Sequence, residues 1–333
     1  MTRPIGLTLL CFMLLVPSLS CSEPSLAKDQ ADEEQTVFDR LFPATATVLR
    51  DGQIAGAGAF VSDEGHFLTA AHVVHKPADR IELLLTDGRV VPAKPVATDL
   101  GHDLALIKIE LDAPLGAEPL ALADELPEPG MGLMMVGAPS MLKETMLPGT
   151  AARHRLGFNF LGDRECYTRT LLVAADAMPG SSGGCWVNGR GQIVGIQSAV
   201  AGDGKASHGI AMIAPASAAK RLIEQQTDQP TATLGGEFVG LRTQGYGFNQ
   251  RFPKGAAGVA LHRAFEGGSV ARAAIPKDHL ITHVDGQAVA DADAFLSIVR
   301  QRKPGDTLRL SVMAPDSHEA TEYEVTADRL AWD

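Results

Sequence analysis

Apolar and polar positions alternate in short runs over much of the chain. Residues 45–49 form the first run, and residues 58–61 the second, closed by Ser62-Asp63-Glu64-Gly65. His66–Ala70 follows, then Ile81–Leu85, turned by Thr86-Asp87-Gly88 into Val90-Val91, and then Leu104–Ile109. Short strands with turn signals between them predict an all-β barrel or sandwich. The period then changes. Residues 216–226 (ASAAKRLIEQQ) read as a helix with Ala219, Leu222 and Ile223 inward. Residues 227–233 are polar, carry Pro230 and read as a linker. Beyond it, strands over 258–262, 278–286, 307–312 and 322–325 are interleaved with a short helix over 267–274. An amphipathic helix over 291–302 places Phe295, Leu296, Ile298 and Val299 inward. The pattern divides the chain into a β-rich domain over 37–226, a linker over 227–234 and an α+β domain over 235–333.

Composition narrows the partners. The 333 residues carry a net charge of −11, which argues against a nucleic-acid partner. Residues 1–20 read as a targeting segment: Arg3 supplies positive charge, and the apolar run 5–15 is too short to span a bilayer. Two cleavage readings stay open. Ser18-Leu19-Ser20 resembles a signal-peptidase site, and Leu19-Ser20-Cys21 a bacterial lipobox that would make Cys21 a lipidated first residue. The second is preferred. Residues 21–36 are polar and acidic, as a tether would be. The expected location is therefore the periplasm or cell envelope, with membrane contact only through such an anchor. Export permits a disulfide between Cys166 and Cys185. Two buried thiols acting as small hydrophobes is the preferred alternative.

The chemistry centres on Gly180-Ser181-Ser182-Gly183-Gly184. A serine hydroxyl needs a base to take its proton, and backbone N–H groups to meet the oxyanion that forms on attack. In this register Ser182 is the nucleophile, and the N–H groups of Gly180 and Ser182 form the oxyanion hole. Upstream, Thr69-Ala70-Ala71-His72 places a histidine after an apolar strand, and His102-Asp103-Leu104 places an aspartate before one. His72 would be the general base and Asp103 its orienting carboxylate. Nearby decoys are His66, His75, His102 and Asp99. No Cys/His spacing suits zinc, and neither a metal nor an organic cofactor is implied.

These three motifs together resemble the chymotrypsin-like serine proteases, and their spacing resembles the bacterial HtrA/Deg branch. Gly56-Ala57-Gly58-Ala59, Gly137-Ala138-Pro139, and the runs 192–196 and 208–215 are similar to further landmarks of that branch. The resemblance implies two six-stranded β-barrels with the active site between them. It also implies a preference for small aliphatic side chains at the cut site. Ser181 departs from the branch's usual Asn, Cys185 from its usual Pro, and the loop 176–180 is short. Asp176 stands six residues before Ser182, where trypsin carries its acidic specificity residue, but it is not read as such. The C-terminal domain resembles a PDZ domain of the HtrA kind. The match assigns Phe238-Val239-Gly240-Leu241 to the loop that holds a peptide's terminal carboxylate, the peptide adding as a strand beside the helix 291–302. The expected function is serine endopeptidase action on unfolded or damaged proteins, with the PDZ domain binding peptide C-termini or regulating activity. The alternative is a non-catalytic chaperone or peptide-binding protein on a protease scaffold. The resemblance also implies a homotrimer through the aromatics Phe38 and Phe42, a core or cap role for that pair being equally open.

Overall fold

The computed structural model describes residues 38–75, 80–110, 116–137, 145–178, 180–202 and 207–332. The targeting segment, Cys21 and the tether lie outside these residues.

Six strands close the first barrel: β1 (Thr45–Arg50), β2 (Gln53–Phe60), β3 (His66–Ala70), β4 (Ile81–Leu85), β5 (Val90–Asp99) and β6 (Leu104–Ile109), in the order β1-β2-β3-β6-β5-β4. Every residue of β3 is buried, the polar His66 and Thr69 included, so this strand is covered on both faces. One face of the central strands fills the barrel, where Phe60 meets Phe67 edge-on at 5.0 Å. The other face supplies Leu68, Leu104 and Leu106 to a second cluster that joins the two barrels.

The second barrel holds β7 (Gly132–Gly137), β8 (Thr145–Ala151), β9 (Gly157–Leu161), β10 (Cys166–Ala174), β11 (Cys185–Val187), β12 (Ile193–Gly202) and β13 (Ser207–Pro215). Their order is β13-β12-β11-β7-β8-β10-β9, and a β10–β13 pairing closes a ring of six that leaves β9 outside. Trp186 is fully buried among Met135, Leu171, Val173 and Ile213, with its indole N–H donated to Gln197 Oε1 at 2.8 Å. The expected pair of six-stranded barrels is thus observed. Cys166 and Cys185 are both buried and unbonded thiols.

His72 lies on α1 (Ala71–Val74), a single turn after β3. The closing helix is α2 (Ala216–Gln225). Ala219 and Leu222 are buried beneath it, while Ile223 sits at the cluster's edge. The following segment is not a free tether. Asp228 accepts from the Thr98 N–H and hydroxyl, both at 2.9 Å, and Ala232 and Leu234 are buried. Within it, β14 (Ala232–Thr233) pairs with a strand near the far end of the chain.

The C-terminal unit is a six-stranded sheet of β15 (Gly236–Gly240), β16 (Val259–Ala264), β17 (Leu280–Val284), β18 (Gln287–Ala288), β19 (Thr307–Met313) and β20 (Ala320–Thr326). The partner of β14 is β21 (Asp328–Arg329). Three helices complete the unit: α3 (Tyr246–Asn249), α4 (Ser269–Arg272) and α5 (Ala292–Arg300). Asp291 caps α5 by accepting the Ala294 N–H at 2.8 Å. Phe295, Leu296, Ile298 and Val299 are buried, as their spacing predicts. The sequence pattern showed no helix at α3; Phe248 from that turn packs near Leu241, Phe252 and Leu280.

The β9–β10 hairpin reaches out of the second barrel into the C-terminal unit. Tyr167 joins that unit's core beside Phe238 and Phe295, with Phe158 and Phe160 packed against it. The Phe158 N–H donates to Asp293 at 2.8 Å, and Arg300 of α5 donates to the Tyr167 carbonyl at 2.5 Å. The hairpin thus ties the second barrel into the C-terminal unit's apolar core.

Candidate active site

The buried turn before β6 carries the carboxylate. Asp103 is wholly buried and has φ of 58°, a left-handed conformation that Asp tolerates better than most residues. Its backbone and side chain both hold the start of α1. The carbonyl accepts the Ala71 N–H at 3.1 Å, and Oδ1 accepts the His72 N–H at 3.0 Å. The imidazole adds Nδ1 contacts of 3.1 Å to Oδ1 and 2.8 Å to Oδ2. This geometry fixes which imidazole nitrogen faces the acid and leaves Nε2 for other work. Two more donors converge on Oδ2: Ser198 Oγ at 2.6 Å and Arg164 Nη1 at 2.9 Å. Burial alone would push the carboxyl up. The facing His72, the charge of Arg164 and the Ser198 hydroxyl outweigh it and hold the group below its ordinary value.

Neither Ser198 nor Arg164 was visible as a site residue in the sequence. Ser198 falls at a register shift in β12, between Gln197 and Ala199. Such an irregularity re-aims one side chain out of the ladder. Arg164 lies in the β9–β10 turn, which carried no motif.

The nucleophile loop enters from the second barrel. Gly183 has φ of 81°, and a Cβ there would run into the Ala57 carbonyl and the Thr69 hydroxyl. Only glycine serves at that point. Flanking bonds lock the loop: Gly183 N–H to Gln197 O at 2.8 Å, and Gln197 N–H to Gly184 O at 2.9 Å. Ser181, the departure from the branch's usual Asn, closes a turn. Its N–H and hydroxyl both donate to Met178 O, at 3.1 and 2.5 Å. Among the described residues, the N–H groups of Gly180 and Ser182 donate to no carbonyl. They are the two donors assigned to the oxyanion.

The histidine and serine neighbourhoods meet at Gly56. A Cβ there would stand 2.5 Å from the Ser182 carbonyl and 2.8 Å from a methyl of Val73, the residue after His72. The Ala57 N–H also donates to that carbonyl at 2.8 Å. Hydrogen bonds thus join His72 to Asp103, whereas Ser182 Oγ makes none among the described residues. Catalytic hydrogen bonds of this kind are commonly loose before substrate binds. A cleft of about 700 Å³ opens beside Ser182, walled by Met178, Ala199, Val200, His208 and Met212 among others. Asp176 is exposed and not among its walls.

The decoys have other occupations. Asp99 is buried against His102 Nδ1 at 2.9 Å and Arg221 at 3.2 Å. His66 bonds Ser62 Oγ at 2.8 Å. His75 bonds the Trp332 carbonyl through Nε2 at 3.3 Å. Of the segment assigned to a peptide carboxylate, Phe238, Val239 and Gly240 lie on β15, and Leu241 follows it. Outside the β15–β16 ladder, two of its N–H groups are engaged: Phe238 donates to Tyr167 Oη at 2.8 Å, and Leu241 to Gly258 O at 2.9 Å. Tyr167 also returns its hydroxyl proton to the Phe238 carbonyl at 2.8 Å, and burial pushes this phenol up to about 12. Phe38 and Phe42 stack on each other at 5.2 Å.

Comparison with known proteins places the fold. Residues 56–196 match the trypsin-like peptidase domain. Serine endoprotease DegS of Escherichia coli (strain K12) is 28% identical over 340 residues, covering 94% of this chain and 93% of DegS. The periplasmic pH-dependent serine endoprotease DegQ of the same organism is 28% identical over 281 residues, covering 82% of this chain and 59% of DegQ. Among solved structures, the HtrA-type protease AlgW with tripeptide superposes with a TM-score of 0.65 at 25% identity, covering 90% of this chain and 98% of AlgW. Residues 56–196 are accordingly a trypsin-like peptidase domain, and the chain is homologous to the DegS, DegP and HtrA serine proteases.

Proposed function

We propose that this chain is a serine endopeptidase of the cell envelope that cleaves unfolded or damaged proteins, with Ser182, His72 and Asp103 as its triad. The observation that carries this is the wholly buried Asp103, gripping both the backbone N–H and Nδ1 of His72, beside a serine loop with two unengaged N–H groups. In the first step Ser182 Oγ forms a bond to the scissile carbonyl carbon, and His72 Nε2 takes the hydroxyl proton. The carbonyl oxygen gains the negative charge and is held by the Gly180 and Ser182 N–H groups. On collapse the C–N bond breaks, and His72 returns its proton to the leaving amine. Water, deprotonated by the same imidazole, then bonds to the acyl carbon; the bond to Ser182 Oγ breaks, and His72 returns the proton to Oγ. Asp103 stays ionised throughout and stabilises the imidazolium. The walls of the cleft beside Ser182 are compatible with an apolar side chain before the cut.

In this reading, residues 1–20 deliver the chain to the periplasm, the compartment named for the DegQ relative, and Cys21 is the lipid anchor. The C-terminal unit acts as a PDZ module that binds peptide C-termini or regulates activity, and the chain works as a homotrimer. Because Tyr167 already holds the Phe238 N–H, peptide capture there would require release of the β9–β10 hairpin. That coupling favours regulation.

The second reading, a non-catalytic chaperone or peptide-binding protein, draws on the absent Ser182–His72 hydrogen bond. The two separate on digestion of a permanently unfolded, reduced and alkylated protein. The protease reading expects fragments from the parent and none from Ser182→Ala. Equal behaviour of the two proteins would reject it.

A further inference from the structure

Asp103 receives more than a triad aspartate needs from its histidine and serine partners, and the additional donor leads away from the site. Arg164 Nη1 lies 2.9 Å from Oδ2, with the arginine side chain 13% exposed. Its Nε faces Asp163 at 3.4 Å, but that carboxylate is largely in solvent. The strongly buried contact is the one to Asp103. While His72 is neutral, Arg164 is the formal charge that balances the buried carboxylate, and a buried charge without a partner is costly.

Arg164 is in turn held from the far end of the chain. The Trp332 ring lies 5.4 Å from its guanidinium carbon, a cation–π arrangement. The same indole meets the His75 ring edge-on at 5.6 Å, and the Trp332 carbonyl faces His75 Nε2 at 3.3 Å. His75 ends the turn that carries His72, its N–H donating to Ala71 O at 2.7 Å. One side chain thus touches both the counter-ion of the acid and the helix of the base. Its delivery is built into the fold. The β14–β21 pairing and the bond from Leu330 N–H to Thr231 O at 2.7 Å lead the chain back to the first barrel. Leu330 and Trp332 then pack with Leu161, Cys166 and Leu100. His72, His75, Arg164 and Trp332 all line one cleft of about 710 Å³.

We propose that Arg164 and Trp332 are positioning residues for the catalytic pair, Arg164 fixing the Asp103 carboxylate and Trp332 clamping Arg164 and the His75 end of the His72 turn. The inference rests on the assignment of His72, Asp103 and Ser182 as the triad. It makes the C-terminal segment part of the active site's support, so that displacing it would slacken the His72–Asp103 geometry.

The test uses the full chain with two readouts. One is the downfield proton resonance of His72 Nδ1–H, assigned by its loss in His72→Ala. The other is the rate of capture by a serine-reactive phosphonate, with kcat and KM on a peptide substrate. Arg164→Ala and Trp332→Ala should shift or broaden the resonance and slow capture at least about tenfold, lowering kcat with little change in KM. Arg164→Lys and Trp332→Phe, which keep a charge and a ring, should restore most of both. Arg221→Ala, at the neighbouring Asp99, should change neither. Near-UV circular dichroism checks folding, and Arg164→Gln, carrying the same expectation as the alanine variant, replaces it if that one does not fold. An unshifted resonance with parent-like capture in the folded variants would overturn the proposal. If the parent takes up no phosphonate, the protease reading falls, and the resonance alone decides the positioning.

Discussion

Two His–Asp–Arg clusters lie four positions apart on one turn, and only one of them has a serine loop beside it. Asp103 pairs with His72 at 2.8 Å and Arg164 at 2.9 Å; Asp99 pairs with His102 at 2.9 Å and Arg221 at 3.2 Å. Both carboxylates are buried, and opposing charges outweigh burial to hold both below their ordinary value of 3.8. By residue type and distance they are near twins. The differences lie in what surrounds them. Asp103 also holds the His72 N–H and the Ser198 hydroxyl. Arg164 is largely buried, whereas Arg221, on α2, is nearly half exposed. His72 stands next to the residue that approaches Gly56 and Ser182. A histidine held by a buried carboxylate therefore does not by itself mark a catalytic site; what sets the Asp103 cluster apart is where the second imidazole nitrogen is free to work.

Paired substitutions sharpen that contrast. Asp103→Asn should lower kcat on a peptide substrate by about 10⁴-fold, since an amide favours the wrong imidazole tautomer. Asp99→Asn should leave kcat within about twofold while costing about 1–3 kcal/mol in urea unfolding, from a buried pair left poorly satisfied. Acid should treat the clusters alike. A carboxyl held low in the folded state contributes stability that is present above its unfolded value and lost as pH falls through its folded one. Urea midpoints of the parent should therefore fall as the pH is lowered below about 4. The drop should be shallower in either Asn variant. A parent midpoint flat over that range would mean that neither pair contributes.

Away from both clusters, Tyr167→Phe removes the hydroxyl that serves both backbone groups of Phe238. The expected cost is about 1–3 kcal/mol of unfolding free energy, because a buried N–H and carbonyl lose their partner. The smallest effect concerns the thiols. Burial pushes Cys166 up to about 11 and raises Cys185 as well. Native protein at pH 8 should take up iodoacetamide at neither position over an hour, and both should label in urea. Intact mass reads the result.

Much of the first barrel was legible because its strands are short apolar runs between clear turns. Ile81–Leu85 and Leu104–Ile109 were read with the observed bounds. The pattern predicts none of the strands β7 to β11. Of these, β8 carries Pro148 and Gly149, breakers in any propensity reading, and the glycine is there because the Trp186 ring occupies its side-chain space. The helix over 216–225 and the inward face of α5 followed from a 3.6-residue period. At the site, the structure brings His72 and Asp103 into contact and places Gly56 between their neighbourhood and Ser182. No motif marks Ser198, because a strand irregularity aims it. None marks Arg164 or Trp332 either, because their contacts join residues far apart in the chain. The segment after α2 reads as a linker, and polar composition does not show that its Asp228 is tied to Thr98.

The claim that most needs testing is that only the Asp103 cluster serves a working nucleophile. Incubation with a serine-reactive phosphonate, read by intact mass, tests it on the parent, Ser182→Ala, Asp103→Asn and Asp99→Asn. A single adduct on the parent and on Asp99→Asn, none on Ser182→Ala and slow capture by Asp103→Asn is the predicted result. Labelling that survives in Ser182→Ala, or that is lost equally in both Asn variants, would contradict it.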